Sequence, residues 1–372
     1  MNTTRRTWQA VSVCAGLAAV ALSVAMMPGT SAQGRGQGRG QAVTRSLSDP
    51  LVTDPIIRGA IDLHAHQDPD SYGPSYGQAA RSLDAIDLVK RAKAAGMRGF
   101  VIKMHLDQTA GLAYYVRTLY PEMEVFGGIG SNLTTGPKVN PWAITHMTEI
   151  RGGWGRVVWM PSWDSEHSSH EVQGWKQPAF VSVARCGNGG LFWANYPKAC
   201  ASPELLPEVK EAISVIAKAK TRDSNGDLIL ATGHNGPEEA KLLVQEAVRA
   251  GVKHVIVTHP LLSAVGMSHA QIKEVVSLGP EIYAEFTSQF GRENAPAEML
   301  EDYVGGIRAA GVERAFVSSD TGQLNSVYQP DALAMAAKAL RAQGFTEREL
   351  DLLFRINPAK ILGIAPPPPV SR

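Results

Sequence analysis

The chain has 372 residues, with 36 Lys and Arg against 35 Asp and Glu, for a formal net charge of +1. That balance excludes a strongly basic nucleic-acid-binding domain. From Leu51 onward roughly 315 residues remain, enough for a large core and within range of a single α/β barrel.

The N-terminus reads as an export signal rather than as part of the fold. Thr4-Arg5-Arg6-Thr7-Trp8 precedes an apolar run from Val11 to Met27, and Gly29-Thr30-Ser31-Ala32 ends it with small residues. Residues 1–32 are therefore expected to be removed at Ala32-Gln33. The Arg5-Arg6 pair resembles a twin-arginine signal, with an ordinary secretory signal as the alternative. The run is too short and too rich in Ala and Ser to favour a retained anchor. Export to a periplasmic or secreted location is the expectation, with no stable membrane insertion afterwards. Residues 33–50, opening on a Gly/Arg/Gln repeat, have little to bury and read as a flexible linker. Residues 51–364 form the expected domain, and 365–372 a Pro-rich tail. After signal removal only Cys186 and Cys200 remain. Their spacing matches no zinc motif, so in an exported chain they are disulfide candidates.

The regular pattern begins at Ala60–His66, an apolar run ending in His64-Ala65-His66. On a strand, residues two apart share a face, so His64 and His66 project together, with Ile61, Leu63 and Ala65 expected on the other side. Ser82–Ala95 has an N-cap candidate and helical apolar spacing. Gly99–His105 follows as a strand, then helix Thr109–Leu119, strand Glu124–Ile129, helix Asn140–Ile150 and strand Arg156–Met160. Pro161–Ser202 breaks the rhythm with no periodic segment, which predicts a long loop insertion after strand 4. The pattern then resumes with helix Pro203–Lys220, strand Leu228–Thr232, helix Pro237–Ala250, strand His254–Thr258 and helix Ser268–Leu278. Strand Glu281–Phe286, helix Pro296–Ala310, strand Arg314–Ser318 and helix Gln329–Gln343 complete it. Eight strands alternating with eight helices predict a (β/α)8 TIM barrel. An open doubly wound sheet is the alternative, disfavoured because no Gly-rich phosphate fingerprint follows the first strand.

Active sites in such barrels lie at the carboxyl ends of the strands. Those ends carry His64 and His66, Lys103 and His105, His234, His259, Glu285 and Asp320. Five of the ten histidines fall there. Imidazoles converging with a carboxylate suit a divalent cation. A single buried histidine is more often a hydrogen-bonded core residue, but five coinciding at one mouth argue for a site.

These motifs resemble the amidohydrolase superfamily of metal-dependent barrel hydrolases, within it a poorly characterised exported branch. The resemblance rests on Asp62-Leu63-His64-Ala65-His66, His234, Thr258-His259-Pro260, Asp320 and the closing Asn357-Pro358-Ala359-Lys360-Ile361-Leu362-Gly363. It implies that His64, His66 and His234 bind metal and that His259 binds a second ion or orients substrate. Asp320 would be both ligand and proton shuttle. Zinc is the implied metal. Two-metal members carry a lysine or glutamate at the end of strand four, where this chain reads Trp159-Met160-Pro161-Ser162-Trp163-Asp164. One ion is therefore slightly preferred over two, with Lys103, or less well Asp164, as a substitute bridge.

The implied reaction is cleavage of an amide, ester or lactone by metal-activated water, with Asp320 as general base and acid. Trp163, Trp175, Phe192 and Trp193 would wall a small-molecule substrate, and Arg185 or Lys198 would meet an anionic group. The plainer reading of those aromatics is a mini-core pinning the loop. A metal-dependent decarboxylase and a non-catalytic exported metal- or ligand-binding protein are the rival readings. Oligomeric state is left open.

Overall fold

A computed structural model describes residues 48–70, 81–105, 107–171, 179–190, 192, 200–323 and 326–368. The expected export signal, most of the linker, the last tail residues, Trp175, Trp193 and Lys198 lie outside the described residues. No helix among the described residues is long and apolar enough to cross a membrane.

The strands in chain order are β1 (Ile61–His66), β2 (Gly99–Lys103), β3 (Glu124–Gly130), β4 (Gly155–Trp159), β5 (Ala184–Arg185), β6 (Glu204–Leu205), β7 (Ile229–Ala231), β8 (His254–Val257), β9 (Ile282–Thr287) and β10 (Ala315–Ser318). Eight of them form one sheet in the order β1-β2-β3-β4-β7-β8-β9-β10. Every neighbouring pair in it is parallel. The ring is brought together just past β10, where Ala65 bridges Thr321. There the Asp320 N–H donates to His64 O at 2.9 Å and the His66 N–H to Thr321 O at 3.0 Å. Helices alternate with the strands, so the fold is a (β/α)8 barrel.

Local chemistry sets the helix starts. Asp84 accepts from the Ile86 and Asp87 N–H groups ahead of α1 (Ala85–Ala94). Asn140 caps α3 (Pro141–Thr148) in the same way, and α2 (Ala110–Leu119) lies between them. Capped ends matter because the first N–H groups of a helix have no partner within it.

Two apolar layers follow from strand alternation. Phe100, Ile102, Val125, Val158, Leu230 and Val257 pack outward with the helices. Ile61, Leu63, Val101, Phe126, Val157, Trp159, Ile256, Tyr283 and Phe316 fill the barrel. Ala359, Ile361 and Leu362 join this inner layer and close its floor. They belong to the NPAKILG segment, which forms a short helix (Asn357–Ile361). Its Asn357 amide donates to Val312 O and Ala315 O, at 2.8 and 2.7 Å, at the start of β10.

One expectation for β1 is corrected. Plain alternation puts Ile61 and Leu63 on the face opposite His64 and His66, but both lie in the inner layer. The register with β2 shifts between Asp62 and Ala65. Such an irregularity changes the phase of the alternation, so an apolar floor below and imidazoles above come from the same side of one strand.

The segment after β4 is more ordered than a bare loop. It contains α4 (Glu166–Glu171) and the antiparallel ribbon of β5 and β6. Cys186 and Cys200 form a disulfide beside that ribbon, with Cα atoms 5.0 Å apart. Helix α5 then runs Pro207–Lys218, later than its predicted start because Glu204 and Leu205 belong to the ribbon.

Candidate metal centre

The inner faces of the strands change character near the carboxyl end. Val101 gives way to Lys103, Tyr283 to Glu285, and Phe316 to Ser318, each two residues further along. The last apolar layer under the mouth is the Trp159 indole, whose ring centroid is 5.9 Å from His64 and 4.7 Å from Lys103 Nζ. Gly128 makes room for it, since a Cβ there would lie 2.4 Å from the indole.

His64, His66 and Asp320 form a group whose ligand atoms lie within 4.8 Å of one another. Asp320 Oδ1 is 3.4 Å from His64 Nε2 and 3.3 Å from His66 Nε2. A tetrahedral ion with bonds of about 2.1 Å separates its ligands by about 3.4 Å, so the two spacings fit. On its other side His64 Nδ1 lies 2.9 Å from Glu285 Oε1. A neutral ring donating there turns an Nε2 lone pair toward the group, the orientation a histidine ligand needs. Glu285 is itself held, accepting from Ser318 Oγ at 2.6 Å and from the His259 N–H at 3.3 Å. Asp62 Oδ1 accepts from the His64 N–H at 3.0 Å and the Ser319 N–H at 2.9 Å, joining the first strand to the turn after the last.

Protonation states agree with this reading. Burial drives the His66 imidazole down to about 3, against the pull of Asp320. Burial also lowers His105, His234 and His259. Burial raises the Asp320 carboxyl, but His64, His66 and His259 outweigh it and hold the group well below the ordinary carboxylate range. Neutral imidazoles and an ionised carboxylate are the forms that bind a cation. His66 Nδ1 and His259 Nδ1 are buried without a hydrogen-bond partner among the described residues. The donor set and its spacing fit a divalent cation held by His64, His66 and Asp320.

The other expected residues are placed unequally. His259 stacks on His64 with centroids 5.8 Å apart, and His234 lies 4.8 Å from His259. Both line the mouth but stand outside the three-ligand group. His259 and Asp320 hold positive φ angles of 23° and 46°. Such backbone is costly for residues other than glycine and clusters at functional sites. Lys103 is fully buried with Nζ 3.5 Å from His64 Nε2, and burial pushes its ammonium down to about 8. His105 stacks on His66 at 4.6 Å. Trp163 meets the His105 ring edge-on at 5.4 Å, so one expected wall residue does reach the mouth. Asp164 accepts from the Leu133 N–H at 2.8 Å.

Arg185 is exposed on the ribbon, with Nε 3.1 Å from Glu204 Oε1, while the neighbouring Ala184 is buried. Asp70 and Arg81 also reach the mouth, though no sequence motif marks them. Asp70 forms a second possible ligand group with His66 and His105, and Arg81 Nε donates to Asp70 Oδ2 at 2.9 Å. An acidic residue four positions after His66 was the only available signal.

The barrel fold is shared with solved amidohydrolases. An amidohydrolase from Burkholderia multivorans with bound zinc is 12% identical over 82% of this chain and 99% of its own, with a TM-score of 0.53. A second crystal form of it, with bound HEPES, gives 0.52 at the same identity and coverage. A β-aspartyl dipeptidase from Fervidobacterium islandicum is 15% identical over 82% of this chain and 73% of its own, with a TM-score of 0.50. No curated protein matches the sequence. Residues 59–283 match the model of DUF6282, a family of unknown function, and the chain belongs to that family.

Proposed function

We propose that the chain is a metal-dependent hydrolase of the amidohydrolase type, cleaving an amide, ester or lactone bond in a small molecule. The observation that carries this reading is the placement of Asp320 Oδ1 at 3.4 and 3.3 Å from two histidine Nε2 atoms, one of them oriented by Glu285. The shared fold supports it. His64, His66 and Asp320 would hold the cation, with His259 and His234 beside it, and zinc suits the nitrogen and oxygen donors. A divalent cation there would acidify water toward a pKa of about 7 and polarise a substrate carbonyl.

The chain's own groups do the rest. Glu285 keeps His64 in one tautomer. Asp320, ionised and at the mouth, accepts the proton of the attacking water and returns it to the departing nitrogen or oxygen. Positioned acid–base groups of this kind contribute about 10²–10⁴-fold. Lys103 sets a positive charge beside His64, where negative charge develops on the substrate. Trp159 seals the centre from below. The Cys186–Cys200 disulfide supports an exported, oxidising setting, with residues 1–32 as the signal.

The test is Asp320→Asn assayed on an ester, lactone and amide panel, with elemental analysis alongside. Turnover is expected to fall at least about 10²-fold while an ion stays bound. Undiminished turnover would remove Asp320 from its role. Carbon dioxide release from an aromatic acid would move the reaction to a decarboxylase, and metal binding with no turnover would leave a binding protein.

A further inference from the structure

Two donor groups meet at His66. The first is His64, His66 and Asp320; the second is His66, Asp70 and His105. In the second, His105 Nδ1 lies 3.7 Å from Asp70 Oδ2, close to the spacing of about 3.4 Å expected for ligands of one tetrahedral ion. By donor type and spacing both groups could take a metal.

They differ in what already stands there. The Arg81 guanidinium is bound to both atoms of that pair. Its Nε donates to Asp70 Oδ2 at 2.9 Å, Nη2 contacts that same oxygen, and Nη2 lies 3.1 Å from His105 Nδ1. A guanidinium is always charged and has no acceptor, so His105 Nδ1 must present its lone pair to Arg81 and carry its proton on Nε2. The Arg81, Asp70 and His105 side chains are 4%, 3% and 9% exposed, so water screens this cluster little. A divalent cation and the guanidinium cannot share these two atoms, and their charges repel. In the first group a cation approaches only one ligand atom: Lys103 Nζ lies 3.5 Å from His64 Nε2, at the limit of a hydrogen bond, and makes no ion pair with Asp320 within 4.0 Å.

We infer that Arg81 is a fixed cation standing in the place of a second metal ion, and that Asp70 and His105 become a divalent-cation site once Arg81 is removed, completed by His66 as an imidazolate that releases its ring N–H proton to solvent and bridges the two ions. The centre of the native chain is therefore mononuclear. Its positive centres are one exchangeable ion, the Lys103 ammonium and the Arg81 guanidinium, the last two carried by the chain. The first ion rests on the function proposed above; the role of Arg81 does not.

The experiment is zinc stoichiometry by elemental analysis, after loading and dialysis, of the wild-type chain, Arg81→Met, Arg81→Lys and the Arg81→Met/Asp70→Asn pair. The expected values are one, two, one and one ion per chain. The inference on Arg81 is read as the difference between Arg81→Met and wild type. A gain of one supports it, and no gain in a folded protein overturns it, as does a wild-type value of two. A wild-type value of zero would instead overturn the first group as a metal centre and leave that difference to be read as before. If Arg81→Met folds poorly, its unfolding temperature is followed against added zinc. A rise larger than that of wild type supports the new site, and a rise no larger counts against it.

Discussion

The barrel floor and its mouth are built from the same strands two residues apart, yet they are held together in opposite ways. The floor is a close-packed set of side chains, Ile61, Leu63, Val101, Phe126, Tyr283 and Phe316, with no ionised group among them. The mouth replaces that set with His64, His66, Lys103, Glu285 and Asp320, all nearly as buried as the floor. Burying apolar surface stabilises a fold by about 25 cal/mol per Å², whereas buried ionic groups are at best near neutral and are retained for other reasons. The difference assigns stability to one layer and chemistry to the next.

Mutations can break that division. Phe316→Ala in the floor is expected to cost about 3–5 kcal/mol in denaturant unfolding, the usual range for emptying a buried aromatic site. Zinc per folded chain should not change; loss of zinc from protein that remains folded would show that floor and mouth are not separable. Glu285→Gln in the mouth has the reverse signature. It keeps the volume but weakens the charge that orients His64, so zinc affinity should fall about 10–100-fold. Competition with a chromophoric chelator measures this, and unchanged affinity would break the assigned role.

Glu239 sharpens the comparison from outside both layers. It sits in the first turn of α6 (Pro237–Ala250), fully buried, accepting from the Gly236 N–H at 2.9 Å. Burial pushes its carboxyl up to about 8, Gly236 opposes the rise and Glu166 adds to it. The folded chain thus keeps a proton that the unfolded chain, near 4.5, gives up. Stability from this group is fully present below 4.5, declines as pH rises, and levels off above about 8. Glu239→Gln imitates the protonated form. Its melting temperature should match wild type near pH 4 and exceed it by a few degrees at pH 9. Parallel curves would mean that Glu239 ionises normally.

Much of this was legible in the residues because alternating helix and strand patterns are local. Phe100-Val101-Ile102 and Val157-Val158 announce buried strands without tertiary information, and strand ends carrying His64, His66 and Asp320 follow from topology. The irregularity in β1 was not legible, since Ile61 to His66 reads as plain alternation and the slip arises only from pairing with β2. Arg81 was hidden for a related reason. Its partners, Asp70 and His105, are fixed by how the first two strands sit side by side. Helix α4, six mostly polar residues, is too short to show a period. Which way Arg185 faces is decided only by the ribbon pairing.

The join between the first and last strands has a mechanical side. Asp320 donates its backbone N–H to His64 O, while its carboxylate faces the His64 and His66 imidazoles. A cation held by those three side chains would act as a clasp across the barrel's seam, tying the two ends of the sheet together. Loading the site and keeping the ring shut then become one equilibrium, and the amides of His66 and Asp320 are where that coupling is felt first.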